Sequence, residues 1–250
     1  MEVKSTLVTI ACIVQARTGS TRLPGKVLKP LAGRPMLSHL IERLKEAVTL
    51  DTIVIGTTYL PQDDPIVDLA EQHGVAWYRG PQEDVLARYA GAAEMVGAGV
   101  VVRITSDCPL IDPVTVDNVV RYFLAHDYDY VAAWVGSGFH RGLDTEVCTR
   151  EALMKAHRLA EDAPSREHVT LYLHRHPEIF RLASYPAPPE LRHPDWRLCV
   201  DEEDDFRLIE EIYNRLYRPG SPIDFRDVVH LLENEPRLLQ INAHVRQKVV

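Results

Sequence analysis

The sequence predicts an α/β fold built on a mostly parallel sheet, and three observations predict it. Strand-like apolar runs alternate regularly with helix-like stretches through the first half of the chain. The helices are of the length that βαβ crossovers require. No repeat, low-complexity tract or long linker interrupts the 250 residues, so one domain is expected over 1–250.

Each element has its own justification. "TLVTIACIV" is a buried strand, followed by a cationic loop and then "PMLSHLIERLKEA", a helix with Pro35 in its first turn. "DTIVIGTT" is a second strand, and "DPIVDLAEQHG" a helix stopped at Gly74. "VAWYRG" is a short strand; "PQEDVLARYAGAAEMVG" is a helix opened by Pro81 with acids in its first turn. "GVVVRITSD", the helix "DPVTVDNVVRYFLAH" and the strand "DYDYVAAW" complete this half. After about Gly136 the rhythm loosens. "EVCT" and "IFRLASYPA" read as strands, with helices at "REALMKAHRLAE" and "SREHVTLYLHRH" between them. "WRLCVD" reads as a last strand entering the helix "EEDDFRLIEEIYNRL", and "DFRDVVHLLEN" is one more helix before a fraying tail.

The formal net charge of −8 argues against broad nucleic-acid or membrane-surface binding, which needs extended positive fields. Cys12, Cys108, Cys148 and Cys199 are scattered and form no CxxC pair, which predicts buried free thiols in a reducing compartment. The apolar start is too short and too β-branched to span a membrane and has no convincing cleavage site. A cytoplasmic protein is expected.

Against this acidic background, residues 3–41 contain no Asp or Glu, and the stretch "VQARTGSTRLPGKVLKPLAGRP" carries five cations. It is not a Walker loop: five residues rather than four separate Gly19 from Gly25, and Val27 stands where a magnesium-ligating hydroxyl is needed. The G-x-G-x-x-G dinucleotide fingerprint is absent from the first βα turn as well, against a Rossmann dehydrogenase. The loop nevertheless has the parts to hold phosphate. Gly19 and Ser20 can turn backbone N–H groups to an anion, Arg17 and Arg22 bring forked donors, and Lys26 is a mobile point charge. The loop leaves the carboxyl end of the first strand, where open α/β sheets bind ligands.

These residues, "QARTGSTRLPGKVLKPLAGRPML", resemble the signature of the cytidylyltransferases that make CMP-activated sugar acids, and more narrowly the spore coat polysaccharide biosynthesis protein F subfamily. The resemblance continues in the family's order through "EDVLARY", "VVRITSDCPLIDP", "GLDTEV", "SREHVT" and "LCVDEEDDFRLIEEIY". It implies a three-layer nucleotidyltransferase fold of the nucleotide-diphospho-sugar transferase type. Its nucleotide side is expected at about 1–135, its acceptor side at about 136–217 and a helical tail at 218–250. It also implies CTP and a small acidic sugar as substrates, Mg²⁺ as cofactor, and a homodimer, since dimers are common among such relatives. On the loop it implies nucleotide-binding roles for Ala16, Arg17, Gly19, Ser20, Arg22 and Lys26, with Arg17, Lys26 and Asp107 catalytic.

Triphosphate chemistry needs a divalent cation, and hard cations prefer carboxylate oxygens. Asp107 ends one strand at the loop's edge of the sheet, and Asp201 ends "RLCVD" before a helix. The resemblance implies that these two are the metal ligands. Here Glu202 and Glu203 replace the family's usual Thr-Pro after the aspartate, which leaves Asp201 or Glu202 to face the metal. Ser106 stands where Gly is common. Arg103 shares a strand face with Asp107 and either supports the nucleotide or forms an ion pair with it. Asp84, with Glu83 and Arg88, matches a segment near the nucleotide; the alternative is a capped helix with an Asp84–Arg88 pair.

On the acceptor side, Arg166 and His168 suit a sugar carboxylate, and Asp144 and Glu146 suit its hydroxyls. Capping or pairing of Arg166 and Glu167 within their own helix is the structural alternative. The histidines show no metal-ligand spacing, and no zinc is expected. The rival readings are a sugar-1-phosphate nucleotidyltransferase, a glycosyltransferase using Asp127-Tyr128-Asp129, and a nucleotide-binding module without catalysis. That Asp-x-Asp precedes a strand rather than following one.

Overall fold

The structure, a computed structural model, describes residues 8–247. Thr6 and Leu7 of the first expected strand, and the last three residues of the expected tail, lie outside the described residues. The first half contains β1 (Ile10–Gln15), a two-strand ribbon of β2 (Pro30–Leu31) and β3 (Arg34–Pro35), α1 (Met36–Lys45), β4 (Thr52–Thr58), α2 (Asp64–Gln72), β5 (Ala76–Gly80), α3 (Val85–Met95), β6 (Val100–Thr105), α4 (Pro113–Leu124) and β7 (Tyr130–Ala133). The second half contains β8 (Thr145–Thr149), α5 (Arg150–Leu159), α6 (Ala163–Glu167), α7 (Leu171–Arg175), β9 (Leu182–Ser184), α8 (Glu203–Leu216) and α9 (Phe225–Asn234).

The main sheet has the order β5-β4-β1-β6-β8-β7-β9, and only β8 runs against the rest. Successive residues of β1 face opposite layers, as a strand period of two demands. Ile10, Cys12 and Val14 pack into the core under α1, α4, α8 and α9, whereas Ala11 and Ile13 pack under α3 and α5. A three-layer α/β/α arrangement results. On α1, Leu37, Leu40, Ile41 and Leu44 are fully buried at the i, i+3, i+4, i+7 spacing of an amphipathic helix. All four cysteines are buried and free. Among the described residues no helix is long and apolar enough to cross a membrane.

The chain passes from β1 outward through β4 to β5, then returns to the opposite side of β1 with β6. At such a reversal the loops leaving the carboxyl ends of the two neighbouring strands diverge and open a crevice. The cationic loop after β1 and Asp107 after β6 flank it.

Three expected elements differ. The helix expected from Pro81 begins at Val85, because the Asp84 side chain accepts from Ala87 N–H at 2.8 Å and acts as its N-cap. The helix expected over "SREHVTLYLHRH" is split into α6 and α7: His168 leaves helical geometry at φ −101°, ψ 53°. "WRLCVD" is not a sheet strand. The edge of β6 is already taken by antiparallel β8, so the segment crosses the sheet's carboxyl edge. There it makes one bridge, Arg141 to Arg197, and Val200 N–H donates to Asp107 O at 2.8 Å. Gly142 permits this crossing. At φ +110° a side chain there would be strained, and its Cβ would stand 2.7 Å from the Leu198 carbonyl carbon.

Candidate active site

The cationic loop is closed on itself by one carbonyl. Thr18 O accepts from both Ser20 N–H and Gly25 N–H at 2.9 Å, and Gly25 makes the final turn at φ +69°. The ring is pinned from outside by Asp63, whose fully buried carboxylate accepts from Thr18 N–H at 2.8 Å and Thr18 Oγ1 at 2.7 Å. The acid-free loop thus draws its anchoring acceptor from the turn after β4. Sequence reasoning missed Asp63; the available signal was an acid at the same sheet edge, just before α2.

Ala16, Arg17, Ser20, Arg22, Lys26, Asp107, His168 and Asp201 line one cavity of about 300 Å³ at this crevice. Lys26 is its hub. Its Nζ donates to Val200 O at 2.6 Å and to Asp201 Oδ1 at 3.0 Å, and lies 3.5 Å from Asp107 Oδ2. Burial opposes its charge, but the attraction of Asp107 and Asp201 outweighs that and raises its pKa above the ordinary lysine value. Asp201 is held by three cations. Arg22 Nη2 reaches Oδ1 at 3.0 Å, alongside Lys26, and Arg197 Nη2 reaches Oδ2 at 2.8 Å. Burial would raise the Asp201 pKa; Lys26 first, then Arg22 and Arg197, reverse the sign and lower it.

Asp201 points into the cavity, while Glu202 stands at the N-cap position of α8, its backbone N–H donating to Asp205 Oδ2 at 3.1 Å. The expectation that Asp201 ends a strand is replaced by a turn tied to Asp107 through Val200. The two carboxylates still converge on one point, now filled by the Lys26 ammonium. A divalent cation fits that donor pair: hard, anionic oxygens from two elements, with the remaining positions open to a nucleotide's phosphates. Among the described residues no group of three His, Cys, Asp or Glu side chains converges to hold a metal.

The other expected residues lie elsewhere. Gly19 is not on the cavity wall; its nearest non-neighbour is the Gln62 amide, 3.7 Å from where a Cβ would stand. Arg103 pairs with Glu146, its partner in the β6–β8 register, and not with Asp107. Glu146 also accepts from Tyr130 Oη at 2.5 Å and Thr170 Oγ1 at 2.7 Å. Burial disfavours its charge, yet Arg103 and these donors pull its pKa well below the ordinary carboxylate range. Asp84 pairs with Arg166, whose Nε donates to Oδ2 at 3.0 Å, so the nucleotide-side and acceptor-side segments are joined by one ion pair. No Asp84–Arg88 pair forms: Arg88 donates instead to the carbonyls of Pro81 and Gln82 at 2.6 and 2.9 Å. Asp144 accepts from Gly142 N–H at 3.1 Å, and burial raises its pKa.

Arg88, expected near the nucleotide, and Glu167 of the acceptor-side segment also line the cavity; Gln15 and Gln247 line it too and were not foreseen. Gln15 had a readable signal, since it is the last residue of β1. Gln247 had none, because nothing in a fraying tail announces where it returns.

The cytidylyltransferase family profile matches residues 11–228. An uncharacterized protein of Methanocaldococcus jannaschii is 38% identical over 94% of this chain and 95% of its own length. The spore coat polysaccharide biosynthesis protein SpsF of Bacillus subtilis is 32% identical over 91% of this chain and 95% of its own. A shorter match, to the 3-deoxy-manno-octulosonate cytidylyltransferase 2 of Hydrogenovibrio crunogenus, is 33% identical over 46% of this chain and 47% of that protein. Among solved structures, a cytidylyltransferase from Leptospira borgpetersenii serovar Hardjo-bovis superposes with a TM-score of 0.88 at 28% identity, covering 98% of this chain and all of that one. This chain therefore belongs to the cytidylyltransferase family, and is a CTP-dependent nucleotidyltransferase.

Proposed function

We propose that the protein transfers CMP from CTP to a sugar acid of the ulosonic type, releasing pyrophosphate, in the making of a surface polysaccharide or glycoconjugate. The observation that carries this reading is the Lys26 ammonium set between Asp107 and Asp201 in the cavity of the Gly-Ser loop. The shared family, the polysaccharide role in SpsF's name and the octulosonate in a second relative's name support the acceptor class.

In this reading a sugar hydroxyl oxygen forms a bond to the α-phosphorus as the α–β phosphoanhydride bond breaks, the hydroxyl proton passes to solvent, and pyrophosphate departs with the bond's electron pair. Asp107 and Asp201 would hold Mg²⁺, which when bound neutralises charge on the reacting phosphates. Arg17, Arg22 and Lys26 supply the remaining positive charge. Lys26 can exchange its carboxylate partners for phosphate oxygens because its Nζ is a single point charge on a flexible stem. His168 and Glu167 lie on the cavity wall built by α6 and its C-cap, where an acceptor would approach. Positioning and charge neutralisation are enough for phosphoryl-type transfer without a covalent nucleophile.

The test is pyrophosphate release with CTP, Mg²⁺ and a panel of nonulosonic and octulosonic acids, alongside thermal-shift titration with the four NTPs. CTP should stabilise the fold most, by mass action. Preference for UTP or GTP, or release independent of a sugar acid, would overturn the assignment.

A further inference from the structure

Asp201 is oriented from behind by a hydrogen-bonded chain that runs through Arg197 and Asp205 to residues beyond the span matched by the family profile. Its Oδ2 accepts from Arg197 Nη2 at 2.8 Å. Arg197 is in turn gripped by Asp205, which accepts from Arg197 Nε at 2.9 Å and Nη2 at 3.1 Å, and also from the backbone N–H groups of Asp201 and Glu202 at 3.0 and 3.1 Å. Asp205 is held by Asn242. That amide is 3% exposed and spends both hydrogens here, on Asp205 Oδ1 at 2.8 Å and Arg197 O at 2.9 Å. The remaining Arg197 nitrogen, Nη1, donates to Gln247 Oε1 at 2.7 Å, and Gln247 lines the same cavity as Lys26 and Asp107.

We propose that the segment after α9 is a working part of the site, in which Asn242 is a positioning residue for Asp201 and Gln247 closes one cavity wall. The physical reason is rotational. Lys26 and Arg22 both pull on Oδ1, which leaves the carboxylate free to turn about its χ2; Arg197 on Oδ2 removes that freedom. Arg197 can do this only while Asp205 fixes its plane, and Asn242, donating to Asp205 Oδ1 and Arg197 O, holds Asp205 in register with Arg197. Outer partners of this kind are worth roughly 10- to 100-fold in metal affinity or activity. The family profile ends at residue 228, so nothing in the matched span assigns the segment this role. The inference rests on Asp201 serving the nucleotide and its cation.

The test uses the full-length chain and measures Mn²⁺ binding by electron paramagnetic resonance in the presence of CTP, with steady-state rates and thermal melts in parallel. Asn242→Ala should raise the half-saturating Mn²⁺ by about tenfold and lower kcat while leaving the KM for CTP within about twofold. Gln247→Ala, at an exposed position that folding tolerates, should move the same half-saturation in the same direction by a smaller factor. If both variants bind Mn²⁺ with CTP and turn over as the parent does, and only the melting temperature of Asn242→Ala falls, the segment is a brace and the proposal is overturned. Asp201→Asn separates the two levels. If it retains binding and turnover, the reading of the site itself fails; if it loses them while the tail variants do not, only the positioning role fails.

Discussion

Lys26 donates to Asp201 across 175 residues of sequence, at 3.0 Å, and the same ammonium stands between Asp201 and Asp107. A single positive charge thus occupies the position that two carboxylates would offer a divalent cation. Triphosphate oxygens compete for that charge, and once Lys26 turns to them both carboxylates lose it together, while Arg22 and Arg197 stay on Asp201. Cation and nucleotide should therefore bind as a unit.

Lys26→Ala should lower turnover about 100- to 1,000-fold, the usual scale for losing one preorganised charge-stabilising donor. The fold should survive, because Arg22 and Arg197 still neutralise Asp201. The same variant should bind Mn²⁺ without CTP more tightly than the parent, because the ammonium that competes for Asp107 and Asp201 is gone. Full CTP-dependent pyrophosphate release by Lys26→Ala would sink the mechanism.

Asp201 and its neighbour Glu202 should separate cleanly. Asp201→Asn leaves Lys26, Arg22 and Arg197 facing a neutral amide, and catalysis should fall by two orders of magnitude or more on the scale of a lost charged group. Glu202→Gln alters a half-exposed helix cap, and should cost less than tenfold in rate and about 1 kcal/mol in stability. A reversed order in pyrophosphate-release assays would reassign the second carboxylate.

Much of the fold is legible in the sequence because apolar periodicity reports burial, and burial dominates in β1, β4, β6 and α1. The late start of α3 and the break at His168 were local, whereas the failures at the sheet edge and in the site share a cause: each was decided by a partner distant in sequence. "WRLCVD" has the composition of a strand, but strand formation needs a free edge, and β8 had taken it. Arg103 shares the strand and the β-face alternation that suggested Asp107 as its partner; the β6–β8 register opposes it to Glu146 instead. The missing carboxylates, with the Gly-Ser turn and the cations, single out the cationic loop in the sequence as a candidate anion holder. Its anchor, Asp63, and the brace through Asp205 and Asn242 were not, since single acids and amides carry no spacing signal.

The Arg103–Glu146 pair should prove to be a stability element with a large one-sided penalty. Their side chains are 16% and 12% exposed, so removing either charge strands the other in a poorly solvated site. Glu146→Gln should cost about 3–5 kcal/mol in urea denaturation, whereas replacing both partners by apolar residues of similar volume should recover most of it. Additive single and double losses in a mutant cycle would show that the two charges do not interact.

His140 should make the protein acid-labile well above the carboxylate range. The ring is fully buried, and burial, with a smaller push from His193, lowers its pKa to about 4. Its Nδ1 faces the Arg141 carbonyl at 3.0 Å, so Nδ1 carries the proton of the neutral ring, and Nε2 is buried without a partner to receive a second one. The unfolded chain takes up a proton near 6.5 while the folded chain resists until about 4. Between those values the unfolded state binds more protons, so stability rises with pH and falls on acidification, by up to about 3 kcal/mol from this one group. His140→Phe keeps an aromatic ring beside Phe225, whose centroid lies 5.2 Å from the His140 ring, and removes the titration. Loss of the Nδ1 hydrogen bond shifts its stability by a constant, whereas the slope of unfolding free energy between pH 6.5 and 4.5 should flatten relative to the parent. Parallel slopes in urea melts across that interval would show that His140 is not the group that titrates.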